Sequence, residues 1–215
     1  MRRAQILAAT IVVVCVVGTC VLGVAGEPPG MGDRVVAFCK QHKGKRVGNG
    51  ECTSLAAAAL RAAGAKMHGW GDSKGGEPRR GDNGRETDFN WGELIYVLER
   101  DGTKFKATGQ IKDVRPGDII QFSNVELEGA IDDYSSYTLR ARHHTAIVSA
   151  VQDDGMAIKL YHQNSNGVKR VTATSLRLSD LQQGRFSIYH PIPRTPRQPS
   201  ERPPMPDRPM EPSLP

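Results

Sequence analysis

The chain predicts an α+β domain, with helices first and an antiparallel sheet after them. Three observations carry that reading. The alanine-rich run CTSLAAAALRAA, between a glycine-rich turn and Gly64, reads as a slim helix. HTAIVSAV, from His144 to Val151, alternates with a period of two, and Asp153-Asp154-Gly155 turns it into a second alternating run. Pro116-Gly117-Asp118 places a turn directly before the apolar residues Ile119, Ile120 and Phe122.

The elements follow in order. Asp33 is placed to cap a first helix, whose apolar positions are Val35, Val36, Phe38 and Cys39. Gly44 and Gly48-Asn49-Gly50 make a loop, and the second helix starts near Glu51 and runs to about Ala63. Residues 66–90 are rich in glycine and charge and read as a long surface loop; Trp70, Phe89 and Trp91 either anchor it or wall a groove. Residues 91–98 suit a short helix or a strand, and residues 126–140 a hairpin or loop. In the paired strands, Ile158, Leu160, His162 and Asn164 share one face. A last strand, 186–189, ends at Pro191.

The ends differ in composition. Arg2 and Arg3, the apolar stretch 6–22 and the small residues Gly23, Ala25 and Gly26 form a signal-peptide pattern over residues 1–26, or an uncleaved membrane anchor. The domain occupies residues 27–191, its compact part starting near Gly32. Residues 192–215 are proline-dense and too poor in apolar mass for a core, which reads as a disordered tail. The expected location is therefore outside the cytoplasm, extracellular or periplasmic, with a membrane touched only through an uncleaved anchor. The net charge of +6 suits an acidic surface, yet no arginine-rich block with interleaved aromatics marks a nucleic-acid binder.

With the signal removed, Cys39 and Cys52 remain. A thiol in the first turn of a helix meets free backbone N–H groups and the positive end of the helix dipole, which favour the thiolate. A cysteine with distant histidines is the pattern of a cysteine hydrolase, which needs a base near the thiol and a third group to orient that base. His144 shares its strand face with the small residues Ala146 and Ala150, which leave room for the alanine helix, so parity selects His144 over His143 as base. His162 and Asn164, across the hairpin turn, are candidates to orient it. No cofactor is called for. Adjacent histidines on opposite strand faces are poorly placed to hold one zinc ion.

GNGECTSLAAAAL, DVRPGDIIQF and HTAIVSAV, in this order, resemble the nucleophile segment, the turn-and-strand signature and the histidine strand of CHAP and NlpC-type cysteine peptidases. The resemblance implies a papain-like fold, Cys52 as nucleophile and His144 as base. CHAP proteins carry an acidic residue and an asparagine on the next strand, whereas this chain has His162 and Asn164; NlpC-type members use a histidine as third residue. The implied activity is an exported amidohydrolase or endopeptidase acting on peptidoglycan peptides. Two alternatives stay open. One is a non-catalytic binding module with a Cys39–Cys52 disulfide, the other a thiol acyl- or peptidyl-transferase.

Overall fold

The computed structural model describes residues 29–66, 89–132, 135–152 and 156–194. The expected leader, Trp70 with most of its loop, the 153–155 turn and nearly all of the proline-rich tail lie outside the described residues. Two helices, α1 (Met31–Gln41) and α2 (Cys52–Ala63), precede seven strands. The strands are β1 (Glu93–Asp101), β2 (Lys104–Gly109), β3 (Ile119–Asp132), β4 (Ser135–Gln152), β5 (Ala157–His162), β6 (Thr172–Arg177) and β7 (Leu181–His190). They form one sheet in the order β2-β1-β7-β3-β4-β5-β6, with every adjacent pair antiparallel. The α+β expectation thus holds.

Local chemistry explains most boundaries. Helix α1 starts earlier than Asp33 suggests: Gly30 is its N-cap, and Asp33 lies in the first turn, its carboxylate accepting the Gly30 N–H at 3.0 Å. Helix α2 ends where Gly64 takes a left-handed φ of 77°, a conformation that costs glycine little. Residues 93–101 resolve as strand rather than helix, and the polar stretch 126–140 is the far part of a long β3–β4 hairpin. Strands β2 and β6 carry no strong apolar alternation, and β2 is exposed throughout, so periodicity did not reveal them.

Two cores lie on the two faces of the sheet. Between helices and sheet are Val35, Cys39, Leu55, Ala59, Leu60, Ile119, Ile147 and Tyr189. On the other face Ile120, Phe122, Ala146, Val148, Leu160, Phe186 and Ile188 pack together, with Leu127, Leu176, Leu178 and Leu181 at one end. Strand β3 touches β6, three places away in the sheet order, so this half of the sheet curls over its own core. Burying each large aliphatic or aromatic side chain contributes about 2 kcal/mol.

This arrangement corrects the strand-parity argument. Helix α2 covers the face bearing Ile119 and Ile147; Ala146 belongs to the opposite core. Side-chain size misled here. The slim alanine helix approaches a face made of Thr145 and Ile147, and the small residue at 146 instead makes room inside the curl.

The Pro116-Gly117-Asp118 turn docks the sheet against α1. Gly117 has a φ of 96°, and a Cβ there would lie 2.3 Å from Gly32 Cα. The buried Asp118 carboxylate accepts the Arg115 N–H at 2.9 Å and bonds His190 Nδ1 at 2.7 Å. Burial pushes the Asp118 carboxyl up; the Arg115 N–H and His190 oppose that.

Candidate active site

Cys52 is the first residue of α2, directly after the N-cap Glu51. Its N–H therefore has no acceptor four residues back in the helix. Asn49 braces the entry, its Oδ1 accepting the Glu51 N–H at 2.9 Å and the Ser54 hydroxyl at 2.5 Å. The thiol is partly buried against β4, where it accepts hydrogen bonds from the backbone N–H and hydroxyl of Thr145 and from the Thr53 N–H. Burial pushes the thiol pKa up; those three donors pull it down, and the Glu51 carboxylate adds a smaller upward push. The expectation of a depressed thiol pKa is therefore corrected: desolvation outweighs the donors at the helix start.

One residue before Thr145, His144 turns to the other face of β4. Its ring lies 5.8 Å from that of Phe122, centre to centre, and His144 is 6% exposed. His144 Nε2 meets His162 Nδ1 at 3.1 Å, and His162 Nε2 meets Thr174 Oγ1 at 2.8 Å. His162 pairs in register with Ala146, which explains the diagonal contact with His144 on the same face. Burial, then the neighbouring His162, lowers the His144 pKa to about 4; burial lowers that of His162 as well. Both rings are neutral at pH 7. Among the described residues, His144 Nδ1 carries no hydrogen bond and none joins the thiol to His144.

Asn164 does not reach the histidines. It lies beyond the end of β5 with a φ of 60°, and its Nδ2 donates to Glu51 Oε2 at 2.5 Å. Lys169 Nζ holds the other carboxylate oxygen of Glu51 at 3.0 Å. Gln163, which sequence reading passed over, is the stronger brace. Fully buried, it accepts the Val47 N–H at 2.9 Å and donates to the carbonyls of Val47 at 2.9 Å and Glu51 at 2.7 Å. Thr174 was also missed, because a threonine on an edge strand has no signature of its own. His143 is exposed, yet it lies on the same face of β4 as Thr145 and Ile147, the face that α2 covers, so His143 rather than His144 is on the side of the helix start. Trp91 is buried and donates its indole N–H to Gln121 at 2.9 Å, with Phe89 against it at 5.5 Å between ring centres. Cys39 is a free, fully buried thiol whose pKa burial raises to about 12, and Cys52 is free as well.

Among the described residues, no three His, Cys, Asp or Glu side chains gather as a metal site. No helix of the described residues is long and apolar enough to cross a membrane. The chain is 29% identical over 165 residues to altered inheritance of mitochondria protein 3 of Debaryomyces hansenii, covering 75% of this chain and 16% of that protein. It therefore spans about a sixth of that relative. In shape it is similar to the crystal structure of Ly7917, at TM-score 0.40 and 20% identity over 76% of this chain and 63% of that one. For Ly7917 with the hydrolyzing product of MDP, the TM-score is 0.38 and the identity 22%, over 74% and 63%. Residues 29–200 match the AIM3/BBC1 cysteine proteinase-fold domain, and the chain belongs to that family.

Proposed function

We propose that this domain is a cysteine amidohydrolase or endopeptidase in which Cys52 is the nucleophile and His143, on the Thr145 face of β4, is the base. One observation supports it above the others: the Cys52 thiol meets Thr145 on β4, and His143, two residues earlier, lies on that same face. The His144–His162–Thr174 hydrogen-bond chain lies on the opposite face and braces β4 behind the site.

Burial opposes charge on the thiol, so a resting thiolate is disfavoured. The Cys52 proton moves to the imidazole of His143, which shares the Thr145 face of β4, as sulfur attacks the amide carbonyl, and the Cys52 N–H at the helix start steadies the oxyanion. The imidazolium returns that proton to the departing amine. Water, deprotonated by the same ring, then cleaves the thioester. Peptide amides, including those of peptidoglycan, are the substrate class the resemblance implies, and export follows from the leader pattern.

Cys52→Ala should abolish release of amine from peptide and muropeptide substrates without changing the fold by circular dichroism. Amide cleavage surviving in that variant would refute the mechanism. One observation favours a second reading, a binding module on the same fold: the burial that keeps the thiol neutral also blunts it as a nucleophile. That module is the answer if the folded wild-type protein cleaves nothing and Cys52 resists a vinyl-sulfone probe.

A further inference from the structure

The loop before Cys52 lies against the segment after β5. Lys43 bridges to Val171 in parallel, the Gly44 N–H donates to the Val171 carbonyl at 2.9 Å, and the Val171 N–H donates to that of Lys45 at 2.8 Å. Two basic stretches distant in sequence, KQHKGKR and VKR, thereby meet. They bring together Lys40, Lys43, Lys45, Arg46, Lys169 and Arg170, all exposed. Glu51 is the single carboxylate in residues 40–51 and 163–171, so these segments hold a local +5 in a chain whose net charge is +6.

The patch reaches the nucleophile. Arg46 donates to the Asn49 carbonyl at 2.6 Å, and a Cβ on Gly50 would lie 3.0 Å from both Arg46 Nε and Lys169 Cβ. Both basic side chains therefore lie over Gly50, two residues before Cys52. Glu51 is engaged by Lys169 and Asn164, and hydrogen bonding from Lys169 holds its carboxyl below the usual range. Like charges crowded in this way raise the local concentration of an anionic ligand.

We infer that this basic rim binds acidic peptide segments and delivers them to the Cys52 site. A polypeptide lying across Cys52 would run along the rim, its carboxylates meeting Lys43, Lys45, Arg46 and Arg170. The two segments contain no Phe, Tyr or Trp to stack on bases, and Val168 is their one exposed large apolar side chain, too little to insert into a bilayer. The inference rests on the proposed site for its geometry but not on catalysis, so binding tests it separately.

The experiment measures fluorescence anisotropy of a fluorescein-labelled glutamate-rich peptide, and of its glutamine counterpart, with the Cys52→Ala protein. The glutamate peptide should bind at least ~10-fold more tightly, and the preference should shrink as salt screens it. Lys43→Glu with Arg170→Glu should remove the preference. Lys104→Glu with Lys106→Glu, on β2 at the opposite edge of the sheet, should leave it unchanged. Equal binding of both peptides, equal loss in the β2 variant, or binding to phosphatidylserine vesicles with none to the peptide would overturn the inference. Selective binding without cleavage by the wild-type protein would sink the enzyme reading and leave the rim; cleavage without selectivity would do the reverse.

Discussion

Acidification tests the buried histidine pair most directly. His144 takes up its proton near pH 4 in the folded protein, against an ordinary value of 6.5. Between those values the unfolded chain binds a proton that the folded chain refuses. Stability therefore falls as pH drops from 6.5 toward 4 and levels off below, where both states are protonated. At about 1.4 kcal/mol per unit, the difference amounts to ~3 kcal/mol. Burial depresses His162 as well, which acts in the same direction. Asp118 acts oppositely: burial raises its pKa, so the stability it withholds is recovered as pH falls through its raised folded value.

The assay is urea denaturation at half-unit steps from pH 7 to pH 4, on the wild-type protein and on His144→Gln. Asp118 titrates in both, so its share cancels in the difference. Glutamine can still donate to His162 but takes up no proton, so the variant should lose less stability on acidification, by about 3 kcal/mol at pH 4. Parallel curves would refute the claim that His144 is held neutral by burial.

Three further outcomes follow. His143→Ala should abolish cleavage, while His144→Gln, on the opposite face, should retain it in the folded fraction; the reverse result would put the base on the other side of β4. Gln163→Ala strands three backbone groups and should cost ~2–4 kcal/mol in denaturation, with a fall in activity larger than the unfolded fraction explains. Gly117→Ala meets Gly32 backbone on every side at a φ of 96° and should cost ~3 kcal/mol or more by thermal unfolding; a wild-type midpoint would show that the α1 contact yields.

How much was legible beforehand depends on the range of the signal. Helix α2 and the central hairpin announced themselves because period and turn chemistry are local: Gly64 stops a helix, and HTAIVSAV alternates. Exposed β2 and edge strand β6 did not, since neither needs an apolar face to hold its place. The pairing of His144 with His162 came from strand parity and held. The helix-facing side of β4 came from side-chain size and failed, because parity names two faces without saying which one a helix covers.

The sequence by itself determined that Cys52 begins a helix, that His144 and His162 share a sheet face, and that an α+β domain surrounds them, since each follows from residue spacing along the chain. Only the tertiary structure decided the rest. It assigned Asn164 to Glu51 rather than to a histidine, revealed Gln163 and Thr174 as supports, raised the thiol pKa through burial, and merged two distant basic stretches into one rim. The physical reason is common to all four. Desolvation, buried hydrogen bonds and the summed field of charges depend on which segments meet in space, and residues 40–51 meet residues 163–171 only when the chain is folded.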